Sequence, residues 1–136
     1  MRIIAISLAA FAVYLPAAYL AGRNYIPAPK PVGELVEPLL GVVQGDGSSY
    51  RAQSYSLGGY VDASEDNMHS PVMLYEGLKP LGPARSYIRE VQDVGLGRFN
   101  FIRFSGDPRS HVVFSTSDNS DPRTNGRNYW LVLPGH

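Results

Sequence analysis

"HVVFSTSDNSDPRTNGRNYWLVL", residues 111–133, sets two apolar runs on either side of a polar stretch. The runs "HVVFSTS" (111–117) and "RNYWLVL" (127–133) are rich in the β-branched and aromatic residues that fit a pleated sheet. They do not alternate cleanly with polar residues, which marks strands buried on both faces or lying under a cover. Between them, "DNSDPRTNGR" has the length of a hairpin connection with a long polar tip. Asp118, Asn119 and Asp121 can accept hydrogen bonds from backbone amides one or two positions on. Pro122 fixes φ, and Asn125-Gly126 is a tight-turn signal. Arg123 and Arg127 are placed to pair with Asp118 and Asp121. A structural hairpin accounts for nearly every residue.

The same groups admit a binding reading. Asp118, Asn119, Asp121, Arg123, Asn125 and Arg127 offer planar polar groups to sugar hydroxyls, and Tyr129 and Trp130 offer ring faces. Calcium is a further ligand for Asp118 and Asp121 with the Asn119 and Asn125 amides. The alternating carboxylates and closing glutamate of an EF-hand loop are missing, however. Two carboxylates so close on one loop do not flank a glycosidic bond.

Outward from this stretch, "VMLYE" (72–76) and "GRFNFIRFSG" (97–106) read as strands, the first ended by the turn residues "GLKPLGP". "SYIREVQDVG" is ambiguous: Tyr87, Ile88, Val91 and Val94 have helical spacing, yet its β-branched content allows a strand. Residues 41–71, rich in Gly, Ser and Asp, fit loops and short strands. Tyr50, Tyr55 and Tyr60 do not gather on one strand face, because strand faces repeat every two residues. A compact all-β domain, sandwich or barrel, is expected over 44–136.

Residues 24–43 read as a Pro-rich linker with a short apolar segment. Pro27, Pro29 and Pro31 favour an extended spacer. Val32, Leu35, Val36, Leu39, Leu40 and Val43 then recur at helical spacing, although Pro38, Gly33 and Gly41 weaken a helix. The segment is either a broken helix packed on the domain or an apolar strip, led by Leu35, Val36, Leu39 and Leu40, that docks on a partner.

Residues 1–23 lack a charge from Ile3 to Gly22, about 20 residues and long enough to cross a bilayer core. Arg2 precedes the run, Arg23 and Lys30 follow it, and Tyr14, Tyr19 and Tyr25 sit toward its far end. A cleaved signal peptide lacks a good small-x-small site near Ala21 or Ala28, and a core helix fits the charged flanks less well. The expectation is one transmembrane signal-anchor helix ahead of the all-β domain.

The chain of 136 residues carries 12 basic and 12 acidic side chains. Such neutrality argues against nucleic acid, whose phosphates call for a basic excess. Ten of the 12 basic residues are arginine, which forks onto carboxylates where lysine does not. With no cysteine, disulfides, thiolate catalysis and Cys-based zinc sites are excluded. His69, His111 and His136 have no metal-motif spacing, and no nucleophile elbow or phosphate loop occurs. No catalytic residue, metal or cofactor is expected.

The order "LYEGLKPLGPARSYIREVQDVGLGRFNF…VVFSTSDNSDPRTNGRNYWLV" resembles a β-rich appended domain of bacterial cell-envelope proteins, among them membrane glycosyltransferases and surface-polysaccharide proteins. It spans residues 72–133, and its most specific parts are "LYEGLKPLGP", "GLGRF" and "FSTSDNSDPRTNGRNY". In that group a His-Trp pair follows the Gly-Arg-aromatic stretch, where this chain has "GRFNFIRF". The resemblance implies an envelope context and an accessory role, with no activity.

The expected protein is thus a non-catalytic, membrane-anchored accessory or structural subunit of a larger integral membrane complex. It would be a single-pass protein of the bacterial inner membrane, with the lipid bilayer around its anchor and the β domain in the periplasm. The alternative is a carbohydrate-binding module that takes a surface glycan through the 114–130 loop.

Overall fold

The computed structural model describes residues 2–23 and 25–135, and only the backbone for residues 2–9 and 11. Met1 and its α-amine, Asn24 and His136 lie outside the described residues, as do the side chains of Ile3 to Ala9 and Phe11 in the N-terminal apolar run.

The all-β expectation holds for the body of the chain. Among the described residues, eight strands form two four-stranded antiparallel sheets. They are β1 (Leu35–Pro38), β2 (Val43–Gln44), β3 (Tyr50–Ser54), β4 (Met73–Glu76), β5 (Lys79–Pro80), β6 (Phe99–Ile102), β7 (Ser110–Phe114) and β8 (Tyr129–Leu133). Sheet A has the order β1-β8-β4-β5, and sheet B the order β2-β3-β7-β6. Period-two alternation turns Leu35, Leu74, Tyr129, Leu131 and Leu133 of sheet A inward, onto Tyr50, Ala52, Phe99, Phe101, Val112 and Phe114 of sheet B. Phe114 sits at the centre, its ring 6.2 Å from that of Tyr50 and 5.5 Å from that of Tyr129. One carboxylate ties the sheets together at an edge. Glu37 of β1 is buried and accepts hydrogen bonds from Ser54 Oγ (2.7 Å), Tyr55 N (2.6 Å) and Ser56 N (3.3 Å) at the end of β3.

The strands apolar on both faces are explained by a cover. Every residue of β6 and β7 is buried, the outward ones Asn100, Ile102, His111 and Val113 included. A short helix, α2 (Ile88–Asp93), packs over β6 and β7. "SYIREVQDVG" is therefore a helix. Glu90 accepts from Tyr87 N and Glu65 from Ile88 N at its start, and Gly95 (φ 68°) leads the chain away.

Three expectations need correction. The first concerns the N-terminus. Helix α1 (Arg2–Arg23) is present, but among the described residues no helix is long and apolar enough to cross a membrane. The side chains described in it are those of residue 10 and residues 12–23, a stretch shorter than the about 20 residues that a bilayer core requires. The transmembrane signal-anchor over 1–23 and the single-pass inner-membrane placement with a periplasmic domain are not supported.

The second is the apolar segment. The helical spacing of Val32 to Val43 is coincidental: Leu35–Pro38 is a strand paired with β8, Gly41 turns at φ 62°, and Val43 opens β2. Leu35–Pro38 and Val43 therefore belong to the β-sheets, with residues 39–42 as the connection between them.

The third is the hairpin. β7 lies in sheet B and β8 in sheet A, and they do not pair. Residues 115–128 are a crossover that carries the chain from one sheet to the other.

Candidate functional site

The crossover contains six of the eight sequence-derived binding residues, Tyr129 and Trp130 lying in β8, and its polar groups are spent on one another. Asp118 accepts from Ser120 N (3.2 Å), Asp121 from Arg123 N (2.9 Å) and Asn125 from Arg127 N (3.0 Å), three Asx-turns in a row. Arg127 forks onto Asp118 at 2.9 and 2.7 Å, and Arg123 onto Asp121 at 2.9 and 2.7 Å. The arginine bonds hold both aspartates below the ordinary carboxylate range, and Asp118 does the same for Arg127 in the opposite sense. Arg123 also reaches Gln44 Oε1 at 3.3 Å and lies 5.7 Å over the Tyr50 ring.

Glu76, at the end of β4, is the hub beneath the crossover. It accepts from Ser117 Oγ (2.7 Å), Ser117 N (3.2 Å), Tyr129 Oη (2.9 Å) and Arg127 Nη1 (3.4 Å). Burial raises its pKa, but these donors outweigh burial and the net shift is downward. Burial, opposed by the Asn125 donor and reinforced by the nearby Glu76, pushes the Tyr129 hydroxyl up to about 12. Asn119 holds the left-handed conformation (φ 60°) and clasps the far side, accepting from Leu96 N (2.7 Å) and donating to Val94 O (3.1 Å). Among the described residues, no group of three or more His, Asp or Glu side chains converges on a metal position.

Trp130, the remaining ring of that set, is turned away from the crossover. It faces outward from sheet A, opposite Pro38 of β1 and Tyr75 of β4, and Tyr75 in turn faces Pro80 of β5. A row of rings, Pro38–Trp130–Tyr75–Pro80, therefore crosses all four strands at spacings of about 4.8 Å. The next outward row is Val36–Val132–Met73. No outward position of these strands' paired residues is charged, and the Trp130 indole N–H has no hydrogen-bond partner among the described residues. Pro31 is buried and Gly33 packs against Val132, so the Pro-rich segment lies along one end of this face.

The docking residues read from sequence are scattered. Leu39 is in the core and Leu35 packs against it, whereas Val36 is on the outer face of sheet A and Leu40 is 65% exposed.

Comparison with family models, characterised proteins and solved structures found no match. The function is read from the geometry alone.

Sequence reasoning missed a second surface, on the outer face of sheet B beside the α2 cover. Arg51 and Gln53 point outward from β3 next to His111 of β7, and a cleft of ≈ 280 Å³ opens there. In "YRAQS" the buried positions are Tyr50, Ala52 and Ser54, so the outward pair is an arginine and a glutamine. That alternation was the available signal.

Proposed function

We propose that this chain is a non-catalytic accessory module that docks on a partner protein through the outer face of sheet A. The observation that carries this reading is the uncharged, partly exposed outer face built from Val36, Pro38, Met73, Tyr75, Pro80 and Trp130, with Val132 buried beneath it at the Gly33 end. Trp, Tyr and Met are enriched, and charged residues depleted, at the centres of protein interfaces. Aliphatic Val and Met beside the rings favour a dry contact over a sugar, which needs polar partners for its hydroxyls. Leu78, 60% exposed in the β4–β5 turn, adds apolar area at the rim. Glycan binding through residues 114–130 has less support, because those polar groups already satisfy one another.

The test is native sizing of the protein from its own cells, wild type against Val36→Glu and Met73→Glu. Both positions are half-buried and lie outside the core. The wild type should co-migrate with a stoichiometric partner, and the variants should run alone with unchanged unfolding midpoints. Trp130 is the only tryptophan, so its emission should shift to the blue when the partner is bound. A wild-type chain that runs alone and is retained on polysaccharide would overturn the proposal in favour of a glycan module.

A further inference from the structure

The cleft on the outer face of sheet B has a chemistry the sheet A interface does not use. Its lining includes Arg51, Gln53, Asp107, Arg109 and His111, with Val43 at its side. The acidic member is already neutralised. Asp107 is forked by Arg109 (Nε 2.9 Å, Nη2 2.8 Å), takes the Arg109 amide at 3.0 Å, and bonds His111 Nε2 at 3.0 Å. The Arg109 bonds come first among the causes that hold its carboxyl below the ordinary range. Asp107 and Arg109 cancel, which leaves Arg51 as the net charge of the cleft.

Arg51 stands apart from the other arginines of the β domain. Arg85, Arg89, Arg98, Arg103, Arg109, Arg123 and Arg127 each donate a hydrogen bond to a protein acceptor. Among the described residues Arg51 donates none and forms no ion pair. It lies with its guanidinium 5.7 Å over the Phe104 ring, which is itself 5.4 Å from the His111 imidazole between centroids. The Gln53 amide, two residues along the same strand face, is likewise unclaimed among the described residues. A fixed, planar, cationic fork and a free amide, about 7 Å apart along the strand, make a matched pair of donors at the edge of a shallow cleft.

We propose that this cleft binds a carboxylate-bearing ligand of monosaccharide size, a hexuronate unit, with its carboxylate forked by Arg51 and its hydroxyls met by Gln53. The cleft's ≈ 280 Å³ fits one sugar ring and lies just under the roughly 300–1,000 Å³ usual for larger ligands. Arginine's two parallel N–H groups match the two oxygens of a carboxylate.

The test is calorimetric titration of the full chain with glucuronate, with glucose and inorganic phosphate as the neutral and purely anionic comparators. Glucuronate should bind saturably, glucose should not bind measurably, and phosphate should bind more weakly than glucuronate. Arg51→Ala should weaken glucuronate roughly ten- to hundred-fold, the loss expected for a hydrogen-bonded charge. Arg51→Lys should fall between, and Arg89→Ala, on the exposed side of α2, should leave affinity unchanged. Absence of saturable glucuronate binding overturns the proposal. So does equal binding of phosphate, or an equal loss in the Arg89→Ala control. A Gln53→Ala variant that loses glucuronate but keeps phosphate would tie the amide to the sugar hydroxyls.

Discussion

The 115–128 crossover and the Arg51 cleft are made of the same materials: arginine, aspartate, an amide side chain and a neighbouring aromatic ring. In the crossover each arginine has a carboxylate two or nine positions away, and every acceptor near it is taken. In the cleft one Asp–Arg pair is closed in the same manner, but Arg51 stands on the strand face with no hydrogen bond or ion pair to an acid among the described residues. The two regions show that the abundance of polar residues in a stretch says little about binding. What matters is whether the fold leaves any donor unpaired and holds it still. The polar stretch that is most conspicuous in the sequence works as structure, and an inconspicuous strand position offers the free charge.

That contrast can be broken at several points. The largest effect is expected at Glu76. Glu76→Ala strips four donors of their acceptor beneath the crossover and should cost about 3 kcal/mol in urea unfolding. Because the folded pKa of Glu76 lies below the ordinary 4.5, its stabilisation is whole above pH 4.5 and is lost as pH falls through the folded value. Unfolding midpoints measured from pH 6 down to pH 2 should therefore decline less steeply in Glu76→Gln than in the wild type. An equal decline would mean that the hub does not titrate as described.

Next comes Asn119→Ala, which removes both bonds of the clasp to the α2 side at a left-handed backbone position. A loss of about 1.5 kcal/mol is expected, with faster amide exchange at Leu96. Arg51→Ala should lie within about 0.5 kcal/mol of the wild type, since no protein group loses a hydrogen bond. A large loss there would make Arg51 a structural residue like Arg127 and erase the distinction between the regions. Met73→Glu should be smaller still in its effect on the fold and be visible only in partner association.

Much of the architecture was legible where burial dominates. Phe99, Phe101, Val112, Phe114, Leu131 and Leu133 read as strand residues because strands filled on both faces leave long apolar runs, and β4, β6, β7 and β8 fall where those runs are. The pairing was not legible. Turn chemistry such as Asn125-Gly126 marks a reversal of direction, but it does not say whether the returning strand joins the same sheet or the opposite one. Short strands also imitate helices. In Leu35–Val43 five apolar side chains at helical spacing compete with the signal from Pro38 and Gly41, although two short strands with a turn between them satisfy the same positions. At the candidate sites, the ion pairs Asp118–Arg127 and Asp121–Arg123 followed from local spacing. Arg51 could be recognised only once the partners of the other arginines were known, because an absence of pairing is a property of the whole fold.

The position of β8 between β1 and β4 also constrains the order in which the molecule can be made. Three hairpins, β2–β3, β4–β5 and β6–β7, can form as soon as their residues leave the ribosome. β1 and β4 have no contact through the ladder until β8 arrives, about a hundred residues after β1 was synthesised. Until then the row of rings on sheet A is not assembled and the inner leucines of β1 and β4 lack the strand that lies between them. Chains arrested before Tyr129 should therefore be cut readily by protease within residues 35–80, and chains arrested with Leu133 fully emerged should resist. The outer surface of sheet A is completed last, so a partner that recognises the finished row of rings would engage only chains whose synthesis has passed β8.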